Sequence, residues 1–349
     1  MKICYFGKYN PQYSRNRIII GGLKENGVEI IECRSDLPGI AKYFDLIKKH
    51  WKIRNDYEVI IAGFPGNQAV VLAKFLTKKP IIFDAFLSFY DSMVFDRQVC
   101  RPNGLKAKYF WLLDWLPCQL ADKILLDTNS HINYFIKTFK IKRAKFYRVP
   151  VGTEELFFYP EDSAKITDSF LVHFHGYFLP LHGIEYIIRA AKILEKENIR
   201  FNIIGRGKKY EAVIKLAGEL KLNNVNFINP VPYEKLRPYI NQADLCLGIF
   251  GHTAKTKMVV PNKIYEYLAC QKPIITADTP AIGEFFKNGD ELVLCRPADS
   301  DDLAQKILAL KNNPALREKI AVNGFNLYQK KFRSQIIAAD LINIIWPTQ

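Results

Sequence analysis

The sequence has 349 residues, of which 49% are hydrophobic and 24% are charged, and its formal net charge is +15 at pH 7. This profile is typical of a globular protein and excludes disordered, collagen-like and coiled-coil chains. The seven cysteines are odd in number and scattered, without a Cys-x-x-Cys pair, which argues against a disulfide framework or a zinc ribbon and indicates a reducing compartment. At roughly 100–200 residues per domain, the length predicts two domains.

The charge distribution and the lengths of the apolar runs indicate the kind of partner and the cellular location. Residues 1–150 carry 25 basic and 13 acidic side chains, a net charge of +12, whereas residues 151–349 carry 25 and 22. A field this positive favours an anionic partner, such as a phosphate-bearing substrate, an anionic membrane or a nucleic acid. The initial apolar run is too short for a signal-peptide core, and no run approaches the ~18 apolar residues that span a bilayer. We expect a cytoplasmic protein.

Short β-branched runs alternate with amphipathic stretches along the whole chain. In the first half, strands are predicted at Ile3–Phe6, Val28–Cys33, Val59–Ala62, Ile81–Phe83, Lys123–Leu126 and Phe146–Val149, with helices including Arg15–Asn26, Asn67–Thr77 and Ser130–Phe139. In the second half, strands are predicted at Phe170–Phe174, Phe201–Ile204, Val225–Ile228, Leu245–Ile249, Ile274–Thr276 and Leu292–Leu294. From Ile184 to Leu194, isoleucines, an alanine and a leucine recur at helical spacing.

Strand–helix alternation of this kind predicts a parallel sheet with helices on both faces, and its repetition predicts two such domains. The predicted fold class is therefore α/β, with two doubly wound Rossmann-like domains. The acidic stretch Gly152–Thr167, interrupted by Pro160, is the predicted linker. If the carboxyl ends of the two sheets face one another, a cleft forms that suits a nucleotide-like ligand.

The segment Pro261–Ala269 is the most informative local pattern. Pro261 suits the first turn of a helix, and the free N–H groups that follow, including that of Asn262, form an anion site. Lys263 adds a full positive charge, and Glu266 falls nearly one turn later, where its carboxylate can take a hydroxyl pair such as a ribose diol. The alternative is an ordinary surface helix.

Five segments in the second half, taken together, resemble the retaining, nucleotide-sugar-dependent glycosyltransferases called glycosyltransferase group 1, which have the two-domain GT-B fold. They are His175–Gly183, Ile203–Gly207, Gly248–Gly251, Pro261–Ala269 and Lys272–Ile275. In the first half, Ala121–Ile124 and Val149–Gly152 also fit the family pattern.

The resemblance implies an acceptor-side domain at residues 1–152, with a carboxy-terminal helix at about 333–349 packing back on it. A donor domain then occupies residues 168–332, with a nucleoside diphosphate sugar as substrate and no tightly bound cofactor or metal. The implied donor-binding residues are Gly176, Tyr177, His182, Gly205, Arg206, Gly207, Gly251, Pro261, Asn262, Lys263 and Glu266.

The chain departs from the family at three places. The family has two glutamates eight positions apart; Glu266 matches the second, but Met258 stands at the first. Tyr177 and His182 stand where the family has an arginine and a lysine on the donor diphosphate. Four cations are near enough in sequence to replace them, and Lys263 is expected to do so; the others are Arg206, Lys255 and Lys257. Neutral His182 can still donate one hydrogen bond.

Two weaker patterns have ordinary alternatives. Gly205-Arg206-Gly207 follows a predicted strand, where backbone can approach a phosphate, but a plain tight turn explains it as well. His173 and His175 alternate on a strand and face the same side, so a metal site with His182 is conceivable; with no carboxylate or cysteine at ligand spacing, we expect no metal.

The first half offers candidate acceptor and catalytic side chains. Asp84 and Asp91 follow a predicted strand, where the family has a histidine over the reacting sugar; capping of a turn is the alternative for Asp84. Tyr13, Arg15 and Asn16 lie in the first strand-to-helix loop and are the expected acceptor contacts, although Ser14 there can simply cap the helix. The expected catalytic residues are Asp84, Asp91, Lys263 and Glu266.

Lysines alternate with aromatic residues at Lys48–Lys52, Leu105–Trp115 and Lys137–Lys145. This composition suits an anionic membrane or a lipid-linked acceptor, which we expect to dock through Lys106–Trp115 and Lys137–Arg148. A solvated basic face is the alternative. No nucleic-acid-binding module is present by sequence, so no nucleic-acid partner is expected.

The predicted function is transfer of a sugar from a nucleoside diphosphate to a glycan or lipid-linked acceptor hydroxyl, with retention, in glycan, polysaccharide or glycolipid synthesis. The expected location is cytoplasmic, or peripheral at the inner face of the plasma membrane. Two alternatives stay open: a GT-B-fold sugar-nucleotide epimerase or phosphorylase, and a non-catalytic partner protein, the latter favoured by Met258, Tyr177 and His182.

Overall fold

The structure, a computed structural model, describes residues 1–162 and 168–347. The chain divides into two compact units. Unit 1 comprises Met1–Val151 and the segment from Arg333 onward, and unit 2 comprises Gly152–Phe332. Part of the linker predicted at Gly152–Thr167, residues 163–167, lies outside the described residues.

Unit 1 is built on a six-stranded parallel sheet in the order β2-β1-β3-β4-β5-β6. Its strands are β1 Lys2–Gly7, β2 Glu29–Arg34, β3 Val59–Ala62, β4 Ile81–Phe86, β5 Lys123–Leu126 and β6 Phe146–Arg148. The helices of its first 151 residues are α1 Ser14–Glu25, α2 Ala41–Ile53, α3 Asn67–Leu76, α4 Leu105–Leu120 and α5 Asn129–Phe139. Its central strands are buried on both faces, as a doubly covered parallel sheet requires.

Unit 2 carries a second six-stranded parallel sheet, in the order β12-β11-β10-β7-β8-β9. The strands are β7 Phe170–His175, β8 Ile199–Ile204, β9 Val225–Ile228, β10 Leu245–Leu247, β11 Ile274–Ala277 and β12 Val293–Cys295. The helices are α6 Ile184–Ile193, α7 Tyr210–Glu219, α8 Leu236–Gln242, α9 Asn262–Ala269, α10 Pro280–Gly283, α11 Ser300–Lys311 and α12 Pro314–Lys331. The strand order reverses between β7 and β10, and ligands bind at such switch points.

The last described helix, α13 Ser334–Ile345, belongs to unit 1 and packs on α1. Gly22 of α1 makes this close contact possible, because a Cβ atom there would lie 2.2 Å from the Ser334 carbonyl oxygen. Any side chain at this position would force the two helices apart.

The structure confirms the predicted α/β class and all twelve predicted strands, most within two residues at each end. The largest difference is β4, which continues through Asp84 to Phe86 rather than ending at Phe83. The apolar pattern stops at Asp84, but Arg15 balances the charge of that aspartate and lets the strand stay buried. Across the described ranges, no helix is both long and apolar enough to cross a membrane.

Candidate functional site

Helix α9 carries two charged side chains into the interior of unit 2. Pro261 is the N-cap residue, so the helix begins at Asn262, and Pro261 precedes the first turn instead of lying in it. Lys263 and Glu266 are only 5% and 4% exposed. Because residues three apart are neighbours on a helix surface, the ammonium and the carboxylate lie on the same side of α9.

The Lys263 ammonium is buried and has no hydrogen-bond acceptor among the described residues. Its Nζ atom lies 4.1 Å from the centre of the Phe174 ring. Burial lowers the pKa of Lys263 to about 7, although the charge of Glu266 acts in the opposite direction. A buried cation without an acceptor is costly, and an anionic ligand group would remove that cost.

Gly176, which follows β7, leaves space in front of this ammonium. It has φ +146°, and a Cβ atom there would lie 3.0 Å from Lys263 Nζ and 3.3 Å from His182 Cε1. A side chain at position 176 would therefore fill the space between these two groups. The backbone conformation and the space both favour glycine.

His182 is neutral in this setting. Burial, followed by the charge of Lys263, lowers its pKa well below the ordinary value. Its Nδ1 contacts the Tyr177 carbonyl oxygen, so Nδ1 carries the proton and donates it there. The single hydrogen bond that a neutral His182 can donate is thus already used, and Nε2 can donate to a phosphate only after the ring is protonated.

Glu266 ends a chain of buried polar side chains. His175 Nε2 lies 2.7 Å from Glu266 Oε2, and His173 Nε2 lies 3.0 Å from His175 Nδ1. The Tyr267 hydroxyl is 3.3 Å from the same Nδ1. An ionised carboxylate only accepts, so His175 donates from Nε2, and His173 then donates to His175 Nδ1. His175 holds Oε2 in place and leaves Oε1 for a ligand.

The glycines of the neighbouring loops serve close backbone packing. Cβ atoms at Gly205 and Gly207 would lie 2.0 Å from the Gly176 carbonyl oxygen and 2.7 Å from the Phe178 nitrogen. At Gly251, a Cβ atom would lie 2.5 Å from the Pro180 carbonyl oxygen. These three glycines therefore hold together the loops that surround Gly176, which favours the tight-turn alternative for Gly205-Arg206-Gly207.

The other implied donor contacts lie at the surface. Tyr177 is exposed, and Arg206 donates to Asn229 Oδ1 at 2.9 Å while its guanidinium lies over the Tyr210 ring. Met258 is buried, so an apolar side chain occupies the place of the family's first glutamate. Among the implied donor residues, Lys263, Glu266, Gly176 and His182 are the ones that the contacts above connect.

In unit 1, Asp84 and Arg15 form a fully buried ion pair. Arg15 Nη2 lies 2.8 Å from Asp84 Oδ1, and Arg15 Nε lies 3.0 Å from the same oxygen. Arg15 Nη1 also donates to the carbonyl oxygens of Val149 and Pro150. The pair therefore ties α1 to β4 and to the segment after β6. This geometry favours a structural role for both residues; acceptor contact by Arg15 and catalysis by Asp84 stay predictions.

The remaining acceptor candidates are engaged within unit 1. Asn16 accepts from the Tyr5 hydroxyl at 2.8 Å and donates to the carbonyl oxygens of Asn10 and Phe64. Tyr13 is the N-cap of α1, and this cap makes no side-chain hydrogen bond, so the alternative in which Ser14 caps the helix is not supported. The Tyr13 ring is partly exposed and packs against Phe64.

Asp91 begins a π-helical turn, Asp91–Asp96, that the sequence pattern did not indicate. Its side chain is buried, and its backbone N–H donates to Ser88 Oγ at 2.9 Å. Ser88 in turn donates to the buried Asp114 carboxylate. A catalytic role for Asp91 stays a prediction.

The basic and aromatic segments divide between core and surface. Trp111 and Trp115 stack at 5.6 Å and pack against the core beneath α4. Lys145 donates to the Gln119 and Ala121 carbonyl oxygens, where it satisfies the carboxyl end of α4. Tyr109 projects to the surface. Part of the predicted membrane contact is thus occupied with holding the fold together.

Within residues 1–162 and 168–347, no cluster of three histidine, cysteine or carboxylate side chains is arranged to hold a metal ion. His173 and His175 do face the same side of β7, as their alternation predicts, but they bond to each other and to Glu266.

The sequence pattern missed the contact between His175 and Glu266. The alternation of His173 and His175 identified their shared face, yet it gave no indication of the partner, which lies on a helix 91 positions later. The reversal of strand order at β7 is what brings that helix alongside.

The chain is similar in sequence to known glycosyltransferases. Residues 157–327 match the family described as "Glycosyl transferases group 1". The chain is 24% identical over 237 residues to the uncharacterized glycosyltransferase MJ1178 of Methanocaldococcus jannaschii, an alignment that covers 66% of this chain and 60% of that relative. It is 24% identical over 358 residues to the capsular polysaccharide biosynthesis glycosyltransferase CapM of Staphylococcus aureus, covering 96% and 86%.

Among solved structures, Anabaena Alr3699/HepE in complex with UDP and glucose matches 100% of both chains with a TM-score of 0.76 at 15% identity. Likeness at this identity establishes the fold, which is GT-B. The predicted fold class is thereby confirmed.

Proposed function

We propose that this chain, whose residues 157–327 match the family described as "Glycosyl transferases group 1", transfers a sugar from a nucleoside diphosphate to an acceptor hydroxyl with retention of anomeric configuration. The observation that carries the proposal is the pairing of an unpartnered buried ammonium, Lys263, with a carboxylate, Glu266, whose position is fixed by His175. A nucleoside diphosphate offers a counterpart to each group: phosphate oxygens for Lys263 and ribose hydroxyls for Glu266.

In the proposed reaction, the bond between the sugar anomeric carbon and the diphosphate oxygen breaks, and the diphosphate leaves with the electron pair. The acceptor hydroxyl oxygen forms its bond on the face that the diphosphate leaves, and the hydroxyl proton passes to the leaving diphosphate oxygen. Negative charge grows on the diphosphate as the bond breaks, so the Lys263 ammonium and the positive end of the α9 dipole stabilise the transition state more than the bound donor. In this scheme, unit 1 binds the acceptor.

The test measures sugar transfer and donor hydrolysis with a panel of nucleotide sugars, after a thermal-shift screen selects those that raise the melting temperature. Turnover with retention supports the proposal. Epimerised donor without transfer would indicate the epimerase alternative, and binding without turnover would indicate a non-catalytic partner. Similarity to CapM favours a role in capsule or other polysaccharide synthesis.

Donor affinity should depend on the protonation of Lys263. Its pKa is lowered to about 7, so the free protein loses this positive charge as the pH rises through 7. Bound diphosphate raises that pKa, so affinity for UDP should fall by up to tenfold per pH unit above about pH 7, with proton uptake on binding. His182 faces the same space, and burial lowers its pKa well below the ordinary value, so it stays neutral over this pH range.

Calorimetry of UDP binding in two buffers with different ionisation enthalpies measures this proton uptake. In Lys263→Met, turnover should fall more than binding, and the uptake assigned to this residue should disappear. An unchanged turnover number and an unchanged pH profile would move the diphosphate contact to Arg206 or Lys257.

We also propose that the protein works in the cytoplasm, peripherally at an anionic membrane surface, because residues 1–150 carry the net charge of +12. Each lysine or arginine near such a surface contributes about 1 kcal/mol, screened over ~8 Å at physiological salt. Flotation with vesicles containing phosphatidylserine should therefore show binding at low salt that falls steeply as salt increases. Equal binding to neutral vesicles at low salt would contradict the proposal.

A further inference from the structure

Two cavities adjoin on one side of unit 1 and share the residues Tyr43, Asn67, Gln68 and Leu113. The first, of about 310 Å³, is the lysine cavity, lined also by Lys8, Lys42, Leu46, Pro65, Ala69 and Phe89. The second, of about 390 Å³, is the α3–α4 groove, lined also by Val71, Leu72, Phe75, Tyr109, Leu112, Leu116 and Pro117. The two cavities are therefore adjacent, and these four shared side chains form the boundary between them.

The lysine cavity lies where a polar ligand group is expected. Lys8 directly follows β1, Pro65 follows β3 and Phe89 follows β4, so the cavity opens at the carboxyl edge of the sheet. Ligands of open α/β sheets bind at this edge. None of the residues that line either cavity, all within the described part of the chain, is acidic, whereas Lys8 and Lys42 are both cations. This charge balance suits a phosphate.

The polar side chains of the lysine cavity are held by neighbours. Lys42 Nζ and the Tyr43 hydroxyl each donate to Gln68 Oε1 at 2.8 Å, and Lys8 Nζ donates to the Leu37 carbonyl oxygen at 3.0 Å. Both ammonium groups accordingly have defined positions and retain further N–H groups, since an ammonium has three.

The α3–α4 groove has the opposite character. It contains no charged side chain, and its rim exposes Phe75, Tyr109 and Leu112 by 84%, 53% and 46%. Apolar side chains exposed to this extent in one place are costly in water and typically mark an apolar ligand or partner. A groove of this composition, adjacent to a cationic cavity, matches the two halves of an amphiphile.

We propose that this pair of cavities binds a lipid phosphate with a single hydrocarbon chain, its phosphate at Lys8 and Lys42 and its chain between α3 and α4. This inference rests on the proposed function and deepens it, because it places the acceptor hydroxyl on a glycan that is anchored to a lipid phosphate. The charge of the lysine cavity matches the phosphate, and the uncharged groove matches the chain.

The test is calorimetric titration with farnesyl phosphate below its micelle-forming concentration, without any nucleotide. Geranyl phosphate, farnesol and inorganic phosphate are the comparison ligands. Farnesyl phosphate should bind at least tenfold more tightly than each of the three, because only it has both the charge and the full chain length. No measurable binding of farnesyl phosphate, or equal binding of farnesol, would overturn the proposal.

Matched variants locate the site. Phe75→Ser combined with Leu112→Ser should weaken farnesyl phosphate binding at least tenfold, and Lys8→Glu combined with Lys42→Glu should do the same. Phe44→Ser and Lys52→Glu are the controls, since both residues are exposed on α2 outside the two cavities and should change affinity less than twofold. Equal losses of affinity in the control variants would contradict the assignment of this site.

Thermal unfolding shows whether each variant is folded. We expect the variants to fold because the changed side chains lie on the rim of the cavities. Self-association is the other explanation for the exposure of Phe75 and Leu112. Sedimentation would then show a dimer that these substitutions abolish, and the protein would not bind the lipid. That result would overturn the proposal. Because no nucleotide is present, failure here is distinguishable from failure of the proposed function, which UDP titration of the same preparation measures separately.

Discussion

Replacing Asp84 with alanine should lower the free energy of unfolding by about 3–5 kcal/mol. The Asp84 carboxylate and the Arg15 guanidinium are both fully buried, with Nη2 and Oδ1 2.8 Å apart. Burial raises the pKa of Asp84, and Arg15 opposes that rise through its charge and its hydrogen bonds. Removing the carboxylate leaves a buried guanidinium without a counterion, which is the costly state.

Urea unfolding measures the effect, with Asp36→Ala as the matched control. Asp36 pairs with Arg34 at 3.1 Å but is largely exposed, so its removal should cost less than about 1 kcal/mol. If Asp84→Ala left stability unchanged while abolishing turnover, the structural role would be wrong and the predicted catalytic role of Asp84 would be supported.

Replacing Glu266 with glutamine should weaken donor binding by ten- to a hundredfold. A hydrogen bond to a charged group contributes about 1.5–3 kcal/mol, and each 1.4 kcal/mol is a factor of ten. Glutamine is the better substitution because its carbonyl oxygen can still accept from His175 Nε2. Alanine would leave that buried N–H without an acceptor and would lower stability as well.

His175 should act on the donor through Glu266. His175→Ala should weaken donor binding in the presence of Glu266 and have little further effect in the Glu266→Gln background, because the second substitution removes the charge that His175 positions. A double-mutant cycle on the UDP dissociation constant measures this coupling. Additive losses would mean that His175 contributes independently of Glu266.

The sheets were predictable because their strands are continuous β-branched runs. This pattern can be recognised without knowing which strand pairs with which. The helix with Lys263 and Glu266 was predictable because proline, cation and carboxylate stand at fixed helical spacing. The burial of charged side chains could not be predicted from the sequence. Arg15 stands in a polar stretch of the sequence and Asp84 interrupts an apolar run, so sequence alone predicts both at the surface. The fold instead buries them 2.8 Å apart.

The same limit applies to the aromatic residues of α4. Trp111 and Trp115 were predicted at a membrane surface because they alternate with lysines, yet they stack and pack inward, while Tyr109 and Leu112 project outward. The helix is apolar around most of its circumference, so sequence alone did not distinguish the face that packs on the sheet from the face that borders the α3–α4 groove.

The central claim is that unit 2 binds a nucleoside diphosphate through the Glu266 carboxylate and the Lys263 ammonium. Calorimetric titration of the protein and of Glu266→Gln with UDP, GDP and ADP, each paired with its 2′,3′-dideoxy form, tests it most directly. We expect at least one diphosphate to bind the parent protein ten- to a hundredfold more tightly than its dideoxy form, and we expect Glu266→Gln to lose that difference. A dideoxy form that binds the parent protein as tightly as the complete nucleotide, or no binding by any of the three, would contradict the claim.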